Sequence, residues 1–252
     1  MNRFVCLTLL ALLPLCALAQ HSDVWVTLDS NQVTISPTNL ETLESTLVDT
    51  ATGRFLFLGD FGDLSGGPQG TDDPGYQAQS GTFQALSIFN YRGVGQLEFW
   101  DGASWVTSVP DQEQIIYTDA LSSTTTWSTS GVTTPEGAID QISPDGSIHS
   151  HLDFTIDNNG SAPAAGAYLV DIEFFATSGV GGPVVHTSSA PVRVALNYQL
   201  SQTDFDAAID ALTTATSTAS GPVRIPALPL TAACLLGALL SYWGAGFTTR
   251  RS

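Results

Sequence analysis

From Asp23 onward the chain alternates apolar and polar residues over short runs set apart by turn-forming residues. The runs are "VWVTLD" (24–29), "RFLFLGDF" (54–61), "FQALSIFNY" (83–91), "GQLEFWDG" (95–102), "QIIYTD" (114–119), "IHSHLDFTID" (148–157), "AYLVDIEFFAT" (167–177) and "APVRVALNY" (190–198). They are rich in Val, Ile, Phe and Tyr and are bounded by Gly, Pro, Asp or Asn, as half-buried strands are. A period of two assigns the faces. Leu97 and Phe99 oppose Glu98 and Trp100, while Tyr168, Val170, Ile172 and Phe174 oppose Leu169, Asp171, Glu173 and Phe175. An apolar face backed by a more polar one predicts an all-β domain of antiparallel strands around a single core, a sandwich-like arrangement or an open barrel.

Three stretches depart from this alternation. Residues 59–81, "GDFGDLSGGPQGTDDPGYQAQSG", read as a long Gly/Asp/Pro loop, and residues 120–137 read as an exposed strand pair or a loop. Residues 202–217 predict the one short helix, with Thr203 as its cap and Asp204 and Asp206 favouring its positive end. Phe205, Ala208, Ile209 and Leu212 form its apolar stripe, which predicts packing on the domain.

The two ends carry a different pattern. Arg3, an apolar run and the small-x-small triplet Ala17-Leu18-Ala19 predict a cleavable signal peptide over residues 1–19, and therefore export. Residues 228–247 carry no charge and are long enough to cross a bilayer; Arg250 and Arg251 follow, so the predicted transmembrane helix leaves the domain outside the inner membrane. The boundaries expected are a leader (1–19), a β-domain (20–200), a helix and linker (201–224) and a tail (225–252). All three cysteines, Cys6, Cys16 and Cys234, lie in the two end segments, so the β-domain has no disulfide, thiolate ligand or cysteine nucleophile.

Charge narrows the partners. With 7 Lys+Arg against 24 Asp+Glu, the formal net charge is −17, and not one of the basic residues is a lysine. Such a surface repels nucleic acid and attracts cations, besides keeping the protein soluble.

Only four histidines are present, and His149 and His151 stand two apart, with Asp153 two further on. On a strand these three share a face, opposite Ile148, Leu152, Phe154 and Ile156. Two imidazoles at that spacing can converge on one ion, but a site needs further ligands. The expected constellation is His149 and His151 with His21, completed by one carboxylate from Asp23, Asp153 or Glu173. Zinc suits such a donor set. The alternative is a solvated polar face holding no ion. Asp60, Asp63, Asp72 and Asp73 offer oxygen ligands in the long loop, but their spacing matches no EF-hand or nonapeptide calcium pattern, which favours a polar surface loop. If cleavage followed Gln20, His21 could chelate copper through its ring and free amine, though Gln is unfavourable before a cleavage site.

The chain has no Gly-x-Ser-x-Gly elbow, phosphate loop, dinucleotide fingerprint or His-Glu-x-x-His motif, so catalysis is the minority expectation. The second function class is a structural or adhesive matrix protein, with Trp25, Trp100, Trp105 and Trp127 exposed for contact with polysaccharide or neighbouring cells, although tryptophans at strand ends are more often core.

The tail, with Ile225-Pro226-Ala227-Leu228-Pro229, one apolar span and terminal arginines, resembles PEP-CTERM sorting tails, although those carry Pro-Glu-Pro. The resemblance implies recognition by an exosortase-like sorting enzyme, removal of the span, and delivery from the inner membrane to the cell surface or matrix. "HSDVWV", "GDFGDL…DDPGY", "HSHLDFTI" and "AGAYLVDIEFFA", in this order, resemble the Zur-repressed PEP-CTERM proteins. These are exported bacterial proteins under a zinc-uptake regulator. That resemblance implies a role in zinc limitation at the envelope, with His21, His149 and His151 as zinc ligands, and implies no reaction.

Overall fold

The computed structural model describes residues 23–63 and 67–214. The expected leader, His21 and the apolar span 228–247 lie outside the described residues. Among the described residues, no helix is long and apolar enough to cross a membrane.

In chain order the elements begin with β1 (Val24–Asp29), β2 (Gln32–Ile35), β3 (Leu47–Asp49), β4 (Arg54–Asp60), β5 (Gly70–Thr71), β6 (Tyr76–Ala78), β7 (Ile88–Trp100) and β8 (Trp105–Val106). They continue with β9 (Gln114–Thr118), β10 (Thr124–Ser128), β11 (Gly131–Thr133), β12 (Glu136–Gln141), β13 (Ile148–Ser150), β14 (Phe154–Asp157), β15 (Gly166–Thr177), β16 (Val184–His186) and β17 (Val192–Tyr198), and end with helix α1 (Gln202–Thr213). The all-β expectation holds, and the strands form three sheets. One has eight strands, counting β8 and β16 beside the path β12-β7-β15-β17-β4-β3; the others run β13-β6-β1-β2 and β11-β10-β9-β14-β5.

The main core lies between the inner face of the largest sheet and the inner faces of the two smaller ones, a sandwich-like arrangement. Tyr168, Val170, Ile172 and Phe174 of β15 meet Val24 and Val26 of β1 and Ile115 and Tyr117 of β9 in one cluster. Tyr117 stacks on Phe154 with ring centroids 4.1 Å apart, an aromatic contact worth about 0.5–1.5 kcal/mol beyond its buried area. Alternation on β15 is thus a true two-face division, since Leu169 on the opposite face packs under helix α1.

Helix α1 buries Phe205, Ala208, Ile209 and Leu212 as the stripe predicted, against Leu56, Trp100, Leu169 and Ala195. Its cap is Ser201, not Thr203: the Ser201 hydroxyl accepts from the Asp204 N–H at 3.2 Å while Ser201 itself remains extended. The turn leaving β17 ends at Ser201, so Thr203 is already helical.

Other expectations need correction. Pairing is not uniformly antiparallel, because β1 runs parallel to β6 and β17 parallel to β4. "FQALSIFNY" and "GQLEFWDG" are not two strands: from Ile88 the chain forms the single 13-residue β7, bent by a register shift opposite Leu169/Asp171. Gly93 is required inside β7, where an added Cβ would lie 2.5 Å from the Trp127 ring. The four tryptophans are not all exposed. Trp127 is fully buried, Trp100 nearly so, Trp25 is half-buried, and the half-buried Trp105 donates from its indole N–H to the Ala208 carbonyl at 3.0 Å.

Candidate metal centre

The stretch "IHSHLDFTID" is where the expected strand breaks. Ile148–Ser150 pairs with β6 in the four-stranded sheet, whereas Phe154–Asp157 pairs with β9 and β5 in the five-stranded sheet. The chain therefore changes sheets between Ser150 and Phe154. The face assignment survives the break: Ile148, Leu152, Phe154 and Ile156 are all buried, and His149, His151 and Asp153 all face solvent. Burial of Leu152 anchors the crossing and sets where the imidazoles emerge.

Beside these histidines lies the start of β1. Val24 pairs with Tyr76 and Trp25 with Gln77, while on the other side of β6 His149 pairs with Gln77. Trp25, Gln77 and His149 thus make one cross-strand row on the outer face. Asp23, directly before β1, accepts hydrogen bonds from the Gly75 N–H at 3.2 Å and from the Gln77 side-chain amide. These two neutral donors hold the carboxylate in place without neutralising it.

Three donor groups gather here. Asp23, His149 and His151 each offer a ligand atom, and those atoms all lie within 4.8 Å of one another. His149 Nε2 is 3.6 Å from Asp23 Oδ2, and the two imidazole centroids are 5.4 Å apart. A tetrahedral zinc ion with bonds of about 2.0–2.1 Å holds its ligand atoms about 3.3 Å apart. Closing the difference requires rotation of side chains rather than backbone movement. His149, with a side chain 64% exposed, has room for it.

Gly75 makes this approach possible. A Cβ at this position would sit 2.5 Å from Nε2 and Cε1 of His151 and 2.8 Å from Asp23 Oδ1. Any side chain at residue 75 would occupy the space where the ring and the carboxylate meet. A second group, Asp72, Asp73 and His151, satisfies the same 4.8 Å separation and shares His151 with the first. His151 Nδ1 lies 3.0 Å from the Asp72 carbonyl oxygen and 4.0 Å from Asp73 Oδ1.

The remaining expected ligands are elsewhere. Asp153 belongs to neither group, and its carbonyl accepts from the Thr118 N–H at 3.0 Å as the chain enters β14. Glu173 lies on the outer face of the eight-stranded sheet, paired with Arg92 at 3.2 Å. The shift of sheets separates Asp153 from the histidines, and Glu173 has a guanidinium partner instead. Asp63, from the same long loop, accepts from the Thr71 hydroxyl at 2.9 Å.

Sequence reasoning missed the arrangement of Asp72, Asp73, Gly75 and Gln77 around the histidines. The signal available was "DDPGYQA": a Pro-Gly turn followed by Tyr76 and Ala78 with Gln77 between them, a short alternating strand. No protein-family model, curated protein or solved structure matches this chain.

Proposed function

We propose that this chain is an exported protein of the bacterial envelope whose β-domain holds a zinc ion through His149, His151 and Asp23. The observation that carries the reading is the convergence of these donors from two separate segments of the chain onto one exposed spot. Two imidazoles and a carboxylate form a borderline set that suits zinc far better than calcium. His21, two residues before Asp23, is the fourth donor in this reading. Export rests on the leader pattern. Passage from the inner membrane to the surface, by way of an exosortase-like enzyme, rests on the tail's resemblance to PEP-CTERM sequences. The resemblance to Zur-repressed proteins assigns the work to zinc scarcity.

An open, surface-facing site serves capture and release of an ion better than permanent structural use. Structural zinc sites are closed, whereas His149 and His151 here are exposed, where an ion can arrive and leave. The matrix reading draws less support, since Trp100 and Trp127, two of the four tryptophans it rests on, are buried.

Calorimetric titration of the metal-free full chain with zinc tests the proposal, beside the His149→Ala/His151→Ala double variant and a calcium titration. We expect one zinc per chain in the wild type, its loss in a still-folded variant, and no comparable calcium site. Equal zinc binding by both proteins would sink the proposal.

A further inference from the structure

We infer that the turn Asp72–Gly75 fixes the tautomer of His151, keeping the proton on Nδ1 so that Nε2 is bare and aimed at the Asp23/His149 spot. The inference rests on the metal-site reading for its functional meaning, but the tautomer itself belongs to the metal-free protein.

The two ring nitrogens of His151 face different chemistry. Nδ1 is 3.0 Å from the Asp72 carbonyl oxygen, a group that can only accept. A hydrogen bond there requires the proton on Nδ1, and the Asp73 carboxylate, 4.0 Å away, favours the same polarity. Nε2 lies on the other side of the ring. The Cβ position of Gly75 would be 2.5 Å from Nε2 and 2.8 Å from Asp23 Oδ1, so Nε2 and that carboxylate oxygen border the same small space. A bare Nε2 is a ligand; a protonated one is not. Carbonyl and carboxylate partners on the far nitrogen commonly orient metal-bound histidines and raise their basicity.

This assigns Asp72, Asp73 and His151 a role different from a second ion site. If His151 Nδ1 donates to Asp72, it cannot also bind a second cation. Asp73 is then a positioning residue, and the second donor group is a support for the first. Gly75 completes the device, because the ring reaches its position only where residue 75 has no side chain.

Because the chain has only four histidines, selective ¹⁵N-histidine labelling of the full metal-free chain gives an assignable imidazole spectrum. At a pH where the ring is neutral, long-range proton–nitrogen correlations should show His151 with a protonated Nδ1 and a bare Nε2. In Asp73→Asn the population should shift toward the Nε2-protonated form, and zinc affinity should fall about tenfold, within the range seen when such supports are removed. Gly75→Ala should displace the same resonances and weaken zinc at least as much. A wild-type His151 protonated on Nε2, or two zinc ions per chain with both nitrogens of His151 metallated, would overturn the inference. An Asp73→Asn variant unchanged in tautomer and affinity would remove Asp73 from the device. A wild-type chain showing the Nδ1 proton yet binding no zinc would support the tautomer assignment and defeat the metal-site reading alone.

Discussion

Carboxylates gather in two regions of this domain, and their partners differ. On the outer face of the eight-stranded sheet, Arg193 is nearly buried and binds Asp49 at 2.6 Å, Asp171 at 3.2 Å and Glu98. Arg54 joins through Asp171 at 2.5 Å, and Arg92 nearby ties Glu136 to Glu173. Arg54, Arg92 and Arg193 are the basic residues of the described segments, and all three are committed to this face. At the edge of the four-stranded sheet, Asp23 has imidazoles, an N–H and an amide as neighbours and, among the described residues, no guanidinium. Charge paired with guanidinium groups serves the scaffold. Charge held in place by neutral donors beside exposed imidazoles remains available to a cation.

The sharpest way to break that comparison is to remove Arg193. Asp49 is wholly buried and would lose its guanidinium, so Arg193→Ala should cost about 3–5 kcal/mol in urea unfolding. The same variant, wherever it still folds, should bind zinc as the wild type does. By contrast, the His149→Ala/His151→Ala pair should cost only about 1 kcal/mol in the metal-free protein, since the His149 side chain is 64% exposed and His151, 35% exposed, gives up one hydrogen bond to the Asp72 carbonyl. Its main effect should appear with zinc. At a free zinc concentration about one hundredfold above Kd, the wild type should gain about 2.7 kcal/mol, lost on adding a chelator and never gained by the variant.

Acid offers a second probe of the scaffold. Burial alone would raise the Asp49 carboxyl, but hydrogen bonds from the Thr52 hydroxyl, Arg193 and the Ala51 N–H outweigh it and hold the group below its usual range. A carboxylate lowered in the folded state contributes stability above its unfolded value of about 3.9, and the contribution disappears as pH falls through the folded value. Glu98 behaves oppositely: burial raises it against the pull of Arg193, so its protonation adds stability on acidification. Unfolding free energy should therefore hold until about pH 4 and decline below it. Asp49→Asn should lose about 1–3 kcal/mol at neutral pH and flatten that acid decline.

The smallest expected effects separate the sequence pattern from the assembled site. Asp153→Ala should leave zinc affinity within about twofold of wild type, because it creates no change at the converging donors. Glu173→Ala should do the same and cost at most about 1 kcal/mol for its pair with Arg92.

Much of the fold was legible because alternation reports burial directly. Leu97 and Phe99, and the four inward residues of β15 from Tyr168 to Phe174, face the core as their period requires. Alternation says nothing of which strands pair. It therefore gave no sign that β1 lies parallel to β6, the pairing that sets Asp23 beside His149 and His151. The same limit explains Asp153: it shares the solvent face with the histidines, but the chain changes sheets at Leu152 and takes it away. The turn at Asp72–Gly75 was hidden for a different reason. Its importance comes from a close approach across 76 residues of sequence, between Gly75 and the His151 ring, which no local pattern encodes.

The central claim is that the ion goes to the imidazoles rather than to the acidic surface or to a thiol. X-ray absorption at the zinc edge of the full chain, loaded with one equivalent, tests it directly. We expect nitrogen and oxygen neighbours at about 2.0–2.1 Å with the outer-shell scattering of two or more imidazoles. Cys6, Cys16 and Cys234 are the competing ligands, so sulfur at about 2.3 Å would contradict the account, as would an oxygen shell without imidazole scattering.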